Sequence, residues 1–293
     1  MRLGHTGRVG TYAVTGSASG MGSAVVQRLR DLGHTVIRVD IKDADVVADL
    51  SNAAGRRTAA EAVLKTCDGR LDGAVLAAGL GPTPGAERVI TEVNYFGVVE
   101  LLQHWRPALA ETGSAKVVVF SSNSTTTVPA VPRRAIRALL AGEPEKALRA
   151  YRIFGKNSPP MAYAASKIAV SHWVRRHAVT AGWAGAGIRL NALAPGAIMT
   201  PMLERQLATP AEAEHIHRFP VPIGGFGDAG GLADWVVFML SPAADFLCGS
   251  VVFVDGGSDA YFRADDWPRP VPAWRVLSYL KRTKEFRPFE RNR

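Results

Sequence analysis

The sequence contains little cysteine, few aromatic residues and no long apolar run. Only 2 of its 293 residues are cysteine, and Cys67 and Cys248 lie far apart without the spacing of a metal-ligand motif. This rules out a disulfide scaffold and predicts no metal site. No stretch approaches the ~18 apolar residues of a transmembrane helix, and no N-terminal run is typical of a signal peptide. We therefore expect a cytoplasmic protein with reduced cysteines and no transmembrane segment.

An excess of acidic residues is also missing, and the formal net charge of +9 is unevenly placed. Residues 124–162 hold seven Lys/Arg and two acids, and residues 261–293 hold nine Lys/Arg and four acids, so each segment carries +5. The rest of the chain carries a net charge of −1. Such segments serve solubility, an anionic substrate, a membrane surface or an acidic partner. Neither has many aromatic residues at the spacing used for base stacking, so we expect no nucleic-acid partner.

A glycine turn follows the first apolar run. The strand predicted at 9–15 leads into the segment Thr15-Gly16-Ser17-Ala18-Ser19-Gly20-Met21-Gly22, and helical periodicity continues to Gly33. Strand, glycine turn and helix are the context of a dinucleotide-binding turn, where backbone N–H groups meet a pyrophosphate. A second strand at 35–40 ends on Asp40, where a carboxylate can accept the ribose hydroxyls of NAD. A solvated strand end is the alternative reading of Asp40.

A tyrosine and a lysine share one face of a predicted helix. Tyr163 and Lys167 are four residues apart in Tyr-Ala-Ala-Ser-Lys. A free tyrosine titrates near ~10, and a fixed ammonium beside it favours the phenolate. The pair therefore suits proton transfer, although a surface pair at this spacing is common.

The predicted elements alternate along the chain. Strands are expected at 9–15, 35–40, 73–77, 116–121, 187–193 and 250–254, with a short one near 46–48, and helices at 20–32, 54–67, 91–110, 162–182 and 229–240. This alternation predicts an α/β fold, a Rossmann-type doubly wound parallel sheet. We expect a single dehydrogenase-like domain over 1–260, with a helical insertion over about 124–162, and a basic extension over 261–293.

Further motifs follow in order between residues 8 and 258. They are Asp49-Leu50, Ala78-Gly79, Asn94, Ser121-Ser122, and Pro195-Gly196 followed by Ile198 and Thr200. With the glycine turn and the Tyr–Lys pair, they resemble the short-chain dehydrogenase/reductase family. The resemblance implies an enzyme with NAD as cofactor that interconverts alcohols and ketones. The family's usual Asn-Asn before Ala78 is replaced by Leu76 and Ala77.

The resemblance also implies roles for the catalytic residues. Ser122 would hold the substrate oxygen near Tyr163, and Ser121 is the rival for that role. Tyr163 would transfer the proton. Lys167 would lower the tyrosine pKa and bind the nicotinamide ribose. Asn94 would support a water that links Lys167 to solvent.

The cofactor-binding residues are implied in the same way. The pyrophosphate would lie on the glycine turn, the adenine between two pairs of residues, and the nicotinamide against the segment after the strand predicted at 187–193. The residues are, in that order, Gly16, Ser17, Ser19, Gly20, Met21 and Gly22; Asp49, Leu50, Ala78 and Gly79; and Pro195, Gly196, Ile198 and Thr200. NAD is preferred to NADP because Asp40 would repel a 2′-phosphate, while Arg38 and Lys42 beside it oppose that preference.

The long separation of Ser122 from Tyr163 exceeds that of most family members. It resembles the bacterial 3α-hydroxysteroid dehydrogenase/carbonyl reductase group, as do the stretches 40–51, 78–82 and 93–97. This implies a bulky apolar alcohol or ketone, such as a 3α-hydroxysteroid. Another alcohol or an acyl-CoA substrate, and a catalytically silent NAD-binding module, are the alternatives. Helices expected at 132–140 and 144–154 lie where they could cover the substrate crevice or obstruct subunit pairing through the Tyr163 helix.

Family members are commonly oligomeric, so we expect a homo-oligomer, either dimer or tetramer. The extension contains a basic amphipathic segment at 273–284, where Trp274, Leu277 and Leu280 could share a face. Docking on a subunit is the favoured role, and contact with an anionic membrane surface is the alternative.

Overall fold

The computed structural model describes residues 9–289. Strands and helices alternate as expected, and their bounds follow. The strands are β1 (Thr11–Thr15), β2 (Thr35–Asp40), β3 (Val46–Val47), β4 (Gly73–Leu76), β5 (Lys116–Phe120), β6 (Arg189–Pro195), β7 (Ile198–Met199), β8 (Gly227–Asp228) and β9 (Val251–Val254). The helices are α1 (Gly20–Asp31), α2 (Ala53–Thr66), α3 (Glu87–Thr91), α4 (Gly97–Ala110), α5 (Ser124–Thr127), α6 (Arg133–Leu140), α7 (Pro144–Arg152), α8 (Ser158–His177), α9 (Pro201–Leu207), α10 (Pro210–Arg218), α11 (Ala229–Leu240), α12 (Ser258–Arg263) and α13 (Val276–Glu285).

Seven strands form one parallel sheet in the order β3-β2-β1-β4-β5-β6-β9. The order reverses direction at β1, so the chain winds first one way and then the other, as a doubly wound sheet requires. Thr15 at the end of β1 is in register with Val39 on β2 and Leu76 on β4. The carboxyl ends of these strands therefore meet beside the glycine turn.

Apolar side chains cover both faces of the sheet. One core cluster joins the sheet to α2, α4 and α8, and a second joins it to α1 and α11. The interior strand β5 is buried at every position, which explains the apolar run from Val117 to Phe120. The fold class predicted from the sequence is confirmed.

The helix expected at 91–110 is divided. It consists of α3, a π-helical turn over Glu92–Phe96, and α4. π-helical turns interrupt the regular hydrogen-bond ladder and are frequent at functional sites. This one contains Asn94.

The insertion forms α6 and α7, which pack against α8 and add buried residues to the larger core cluster. Leu139 and Tyr151 are among its fully buried side chains. The insertion is thus an integral part of the fold around the Tyr163 helix.

The extension ends in α13, which begins at Val276 rather than at residue 273. Trp274 lies in the 3₁₀ turn before it. Residues 1–8 and 290–293 of the two expected segments lie outside the described residues. None of the helices within 9–289 has the length and apolar character needed to span a membrane.

Candidate active site

Ser122 and Tyr163 meet beyond the carboxyl end of β5. Ser122 is the second residue after β5, and Tyr163 lies in the second turn of α8. Burial raises the pKa of the Tyr163 phenol, and a hydrogen bond between the Ser122 and Tyr163 side chains opposes that rise. Ser122 Oγ also accepts the Ser124 N–H at 3.1 Å. The two hydroxyls that would handle a substrate oxygen are therefore adjacent.

Ser121 points elsewhere. Its Oγ lies 2.7 Å from Ser171 Oγ and 3.4 Å from the Lys167 carbonyl oxygen, both on α8. It joins the strand end to the helix and is only 3% exposed. Of the two serines, the geometry favours Ser122 for contact with substrate.

Lys167 lies one helical turn after Tyr163 and is 4% exposed. Its ammonium donates a hydrogen bond to the Phe120 carbonyl oxygen at 2.8 Å. Its Nζ lies 6.0 Å from the centroid of the Tyr163 ring. Burial lowers the pKa of Lys167 to about 8.

The pKa of Tyr163 differs from the sequence-based expectation. A lowered value was expected from Lys167, but burial dominates and raises it. The reason is that the ammonium is directed to the Phe120 carbonyl and lies 6.0 Å from the phenol ring centre. Removing water from the phenol disfavours its charged form more than this lysine favours it.

Asn94 is fully buried and its side chain is engaged. Its Oδ1 accepts the Leu80 N–H at 2.8 Å and its Nδ2 donates to the Leu80 carbonyl oxygen at 3.0 Å. A Cβ added to Gly79 would lie 3.3 Å from Asn94 Oδ1 and 3.5 Å from Lys167 Nζ. Asn94 thus holds the loop after β4 close to Lys167. Its amide group braces this loop through both of its polar atoms.

The glycine turn is closed by backbone contacts that a side chain would prevent. Gly16 has a φ of +67°, and a Cβ there would lie 2.6 Å from the Ala78 backbone nitrogen. A Cβ on Gly22 would overlap the Gly16 carbonyl oxygen. Ser19, just before α1, makes no side-chain capping bond, so the first N–H groups of α1 stay available. These residues fit a dinucleotide pyrophosphate.

Asp40 lies beside this turn at the end of β2. Its Oδ2 accepts the Ala18 N–H at 2.9 Å and its Oδ1 accepts the Ile41 N–H at 2.7 Å. Ser17 Oγ donates to the Val39 carbonyl oxygen at 3.2 Å, which joins turn and strand. The carboxylate therefore occupies the position expected for ribose recognition.

Arg38 is not free to approach a 2′-phosphate. Its guanidinium pairs with Asp45 at 2.8 Å and donates to the Asp43 carbonyl oxygen at 3.1 Å. The hydrogen bond from Arg38 lowers the pKa of the Asp45 carboxyl. Lys42 is exposed on the same loop. Arg38 and Lys42 are the two cations that could weaken the preference for NAD, and Arg38 is already paired with groups of the loop after β2.

Asp49 caps its own turn. Its carboxylate accepts hydrogen bonds from the Ser51 N–H and hydroxyl and from the Asn52 side chain, and these lower its pKa. Leu50 beside it is buried, as an adenine-contacting residue would be. The carboxylate is still exposed, so an adenine amino group would share it with these donors.

Arg56 is a residue that the sequence did not single out. It is 5% exposed, donates to the Leu50 carbonyl oxygen at 3.2 Å, and pairs with Glu92 at 2.9 Å and Glu100 at 2.7 Å. It ties the segment that contains Asp49 and Leu50 to the π-helical turn that carries Asn94. A lone arginine on an amphipathic helix gives no signal of this role.

The segment after β6 closes the other side of the cleft. The Pro195 carbonyl oxygen accepts the Asn123 N–H at 2.9 Å. Gly196 packs closely on the next strand end, since a Cβ there would lie 2.7 Å from the Asp255 Cα. Ile198 is buried on β7. Thr200 Oγ1 accepts the Leu203 N–H at 3.4 Å and so caps α9. A nicotinamide carboxamide would share this hydroxyl with the helix cap.

Two further polar residues follow Ser122. Asn123 Nδ2 and Ser124 Oγ are buried and have no hydrogen-bond partner among the described residues. The run Ser121-Ser122-Asn123-Ser124 after an apolar strand is the signal that could have marked them. Near this edge, Met202 lies over the loop after β4, since a Cβ on Gly81 would be 3.0 Å from its sulfur.

Comparisons with known proteins agree with this arrangement. The family described as "Enoyl-(Acyl carrier protein) reductase" matches residues 148–259. The 3-alpha-hydroxysteroid dehydrogenase/carbonyl reductase of Comamonas testosteroni is 39% identical over 250 residues, which are 85% of this chain and 96% of that protein. A short-chain dehydrogenase/reductase of Alternaria brassicicola is 30% identical over 65% of this chain and 69% of its own length.

A solved structure gives the same relationship. The 3-alpha-hydroxysteroid dehydrogenase from Pseudomonas sp. B-0831, complexed with NADH, superposes with a TM-score of 0.81 at 42% identity. It covers 87% of this chain and 99% of its own. The fold, the ordered motifs and these relatives lead to one conclusion: the chain belongs to the short-chain dehydrogenase/reductase family of oxidoreductases.

Proposed function

We propose that this protein catalyses NAD-dependent interconversion of a secondary alcohol and a ketone on a bulky apolar substrate, with 3α-hydroxysteroids as the leading class. The contact of Ser122 with Tyr163, one turn from a buried Lys167, carries the proposal. The activity printed for the relatives from Comamonas testosteroni and Pseudomonas sp. supports it. A silent NAD-binding module would have no need of this set.

Tyr163 gives its phenolic proton to the substrate oxygen in reduction and takes it back in oxidation. Ser122 donates a hydrogen bond to the same oxygen and fixes its distance from the phenol. NAD held by the glycine turn and Asp40 would supply the hydride acceptor that the side chains lack, and NADH would supply the hydride donor for the reverse direction. Lys167 contributes positive charge beside the phenol and lies near Gly79, where a ribose would enter.

The glycine turn and Asp40 are proposed to hold NAD. A carboxylate accepts the two ribose hydroxyls of NAD and repels the phosphate that replaces one of them in NADP. Asp40 already accepts two backbone N–H groups beside the turn, so it is fixed in place before a ribose arrives. This preorganisation favours NAD.

Apolar side chains around the site support an apolar substrate. Leu80 follows Gly79 and is 38% exposed, Met199 is 37% exposed, and Met202 reaches over Gly81. Large exposed apolar groups at a cleft suit a ligand of the same character. They do not select a stereochemistry.

The test is a screen of NAD reduction across steroid and non-steroid secondary alcohols. We expect turnover with 3α-hydroxysteroids at a kcat/KM at least about tenfold above that with small alcohols, since a larger apolar surface is buried. Tyr163→Phe protein is the control for contaminating activity. No NAD reduction with any alcohol, in protein that binds NAD, would contradict the proposal.

An acyl-CoA substrate is the second candidate, and a groove on the insertion favours it. The groove has a volume of about 530 Å³ between α6 and α7, and its lining includes Arg134, Arg137, Lys146 and Arg149. Glu143 is its one acidic residue and pairs with Lys146 at 2.6 Å. The screen should therefore include a hydroxyacyl-CoA. Loss of its turnover, but not of steroid turnover, in Arg137→Glu protein would assign the groove to its phosphates.

We infer that the protein is a homo-oligomer located in the cytoplasm. Because α6 and α7 cover part of α8, pairing of subunits through that helix is obstructed and a dimer is favoured over a tetramer. Light scattering gives the solution mass. The mass of a tetramer would contradict the obstruction.

A further inference from the structure

The segment formed by residues 261–289, called here the tail, exposes an unusual amount of apolar surface. In the part of the chain that the structure describes, 11 of the 23 large apolar or aromatic side chains that are exposed lie in the tail. Trp274 is 83% exposed and Leu277 is 81% exposed. Exposed apolar groups concentrated in this way mark a surface that binds something.

The same segment is cationic. Helix α13 buries no residue, and Lys281, Arg282 and Lys284 accompany its apolar residues. Of these, Lys281 is paired with Glu285 at 3.7 Å and both groups are well exposed. The tail holds seven Lys/Arg and three acids and so carries a net charge of +4. A partner that satisfies both properties must offer negative charge and an apolar phase together.

A second copy of this chain matches the tail poorly in charge. Outside residues 124–162 and 261–293 the net charge of the chain is −1, and the insertion carries +5, so a second copy offers little net negative charge to the tail. The tail is nevertheless held to the body at its far end. A Cβ on Gly185 would lie 3.1 Å from Cγ of Phe289, so that ring rests on the turn after α8. Helix α13 precedes this contact, and all of its side chains are exposed.

We propose that the tail docks the enzyme on an anionic lipid bilayer, with α13 lying in the plane of the headgroups. Trp274, Leu277 and Leu280 enter the boundary between headgroups and acyl chains, while the basic residues contact lipid phosphates. Tryptophan suits that depth because one edge of its ring is polar. A nucleic acid would use the charge but leave aliphatic residues such as Val276 and Leu280 exposed. The proposal does not depend on the identity of the substrate.

The experiment is co-sedimentation of the full chain with vesicles of phosphatidylcholine alone or with about 30% phosphatidylserine. We expect binding to the mixed vesicles that weakens with added salt, and little binding to the neutral ones. Lys281→Glu/Lys284→Glu protein should bind the mixed vesicles more than about tenfold more weakly. Trp274→Ser/Leu277→Ser protein, whose charge is unchanged, should also lose most of its binding.

The matched control is Arg57→Glu/Lys65→Glu, which makes the same change of charge on the exposed face of α2. It should retain most of its binding. Equal losses in control and tail variants, or no binding to the mixed vesicles, would overturn the proposal. So would a fall in solution mass in the tail variants, which would assign the tail to a second copy. Tighter binding of a 20-nucleotide single strand than of the mixed vesicles would assign it to nucleic acid.

Discussion

Replacing Lys167 by methionine should change how the stability of the protein depends on pH. Lys167 is 4% exposed, and burial lowers its pKa from 10.5 to about 8. In the unfolded chain the same ammonium returns to water. At neutral pH the folded state therefore bears a cost of about 3 kcal/mol, because each pH unit of that difference corresponds to about 1.36 kcal/mol.

The sign of the effect follows from the two pKa values. The folded pKa of about 8 lies below the unfolded value of 10.5, so the unfolded state binds more protons between them. The cost is fully present below about pH 8 and is relieved as the pH rises toward 10.5. Between pH 7 and pH 9 the cost should fall by about 1.3 kcal/mol. Methionine has no such group and should show no relief.

The change also removes the hydrogen bond to the Phe120 carbonyl oxygen. Leaving that acceptor without its donor costs about 1–3 kcal/mol at every pH. The absolute stability of Lys167→Met protein is therefore a balance of two terms of similar size. The difference between pH 7 and pH 9 isolates the ionisation.

The assay is urea unfolding of the cofactor-free protein at pH 7, 8 and 9. The unfolding free energy of the wild type, minus that of Lys167→Met, should rise by about 1.3 kcal/mol across this range. Lys65→Met, which removes an ammonium already in water, is the matched control and should show no rise. A constant difference for Lys167→Met would refute the assignment of a buried ammonium.

Three other changes test the site. Tyr163→Phe should lower kcat by about 10²–10⁴ because it removes the proton donor, and calorimetry should find NAD affinity nearly unchanged; retention of most turnover would contradict the role of the phenol. Asp40→Ala should narrow the preference for NAD over NADP by about tenfold or more in calorimetric titrations, because it removes a carboxylate that repels the 2′-phosphate. Equal affinities of the unmutated protein for the two cofactors would show that Asp40 does not select NAD. Arg56→Met leaves Glu92 and Glu100 without their shared cation and should lower the unfolding free energy, measured in urea, by about 2–3 kcal/mol. This loss is smaller than that for breaking a fully buried ion pair, because the Glu100 side chain is 32% exposed. A loss below about 1 kcal/mol would contradict a bracing role for Arg56.

Much of the fold could be predicted from the sequence because its signals are local. Apolar runs, helical periodicity and glycine turns placed the main strands and helices within a few residues. The division of the helix expected at 91–110 by a π-helical turn could not be predicted, because the residues Glu92–Phe96 are compatible with a continuous helix. Within this turn Asn94 is bonded to the backbone of Leu80 in the loop after β4, a contact between separate elements that local sequence patterns do not describe.

The site shows the same limit. The spacing of Tyr163 and Lys167 predicts that they share a face, and the structure brings Ser122 to the phenol. Where the ammonium points depends on the crossing of α8 over β5, which offers it a backbone carbonyl. Sequence patterns describe side chains, whereas the hydrogen-bond partners of Lys167 and Asn94 are main-chain groups of Phe120 and Leu80.

The adjacent serines after β5 determine which substitutions the site can tolerate. Ser121 is turned toward α8 and Ser122 toward the cleft. The two hydroxyls are chemically identical and adjacent in sequence, yet neither can replace the other. Exchanging their tasks would require the strand end to rotate by one residue, which would also turn the apolar side chains of β5 to the wrong faces of the sheet. Under the proposed role of Ser122, a chain that loses this residue can therefore recover the contact with substrate only by regaining a hydrogen-bonding side chain at that position, however many serines surround it.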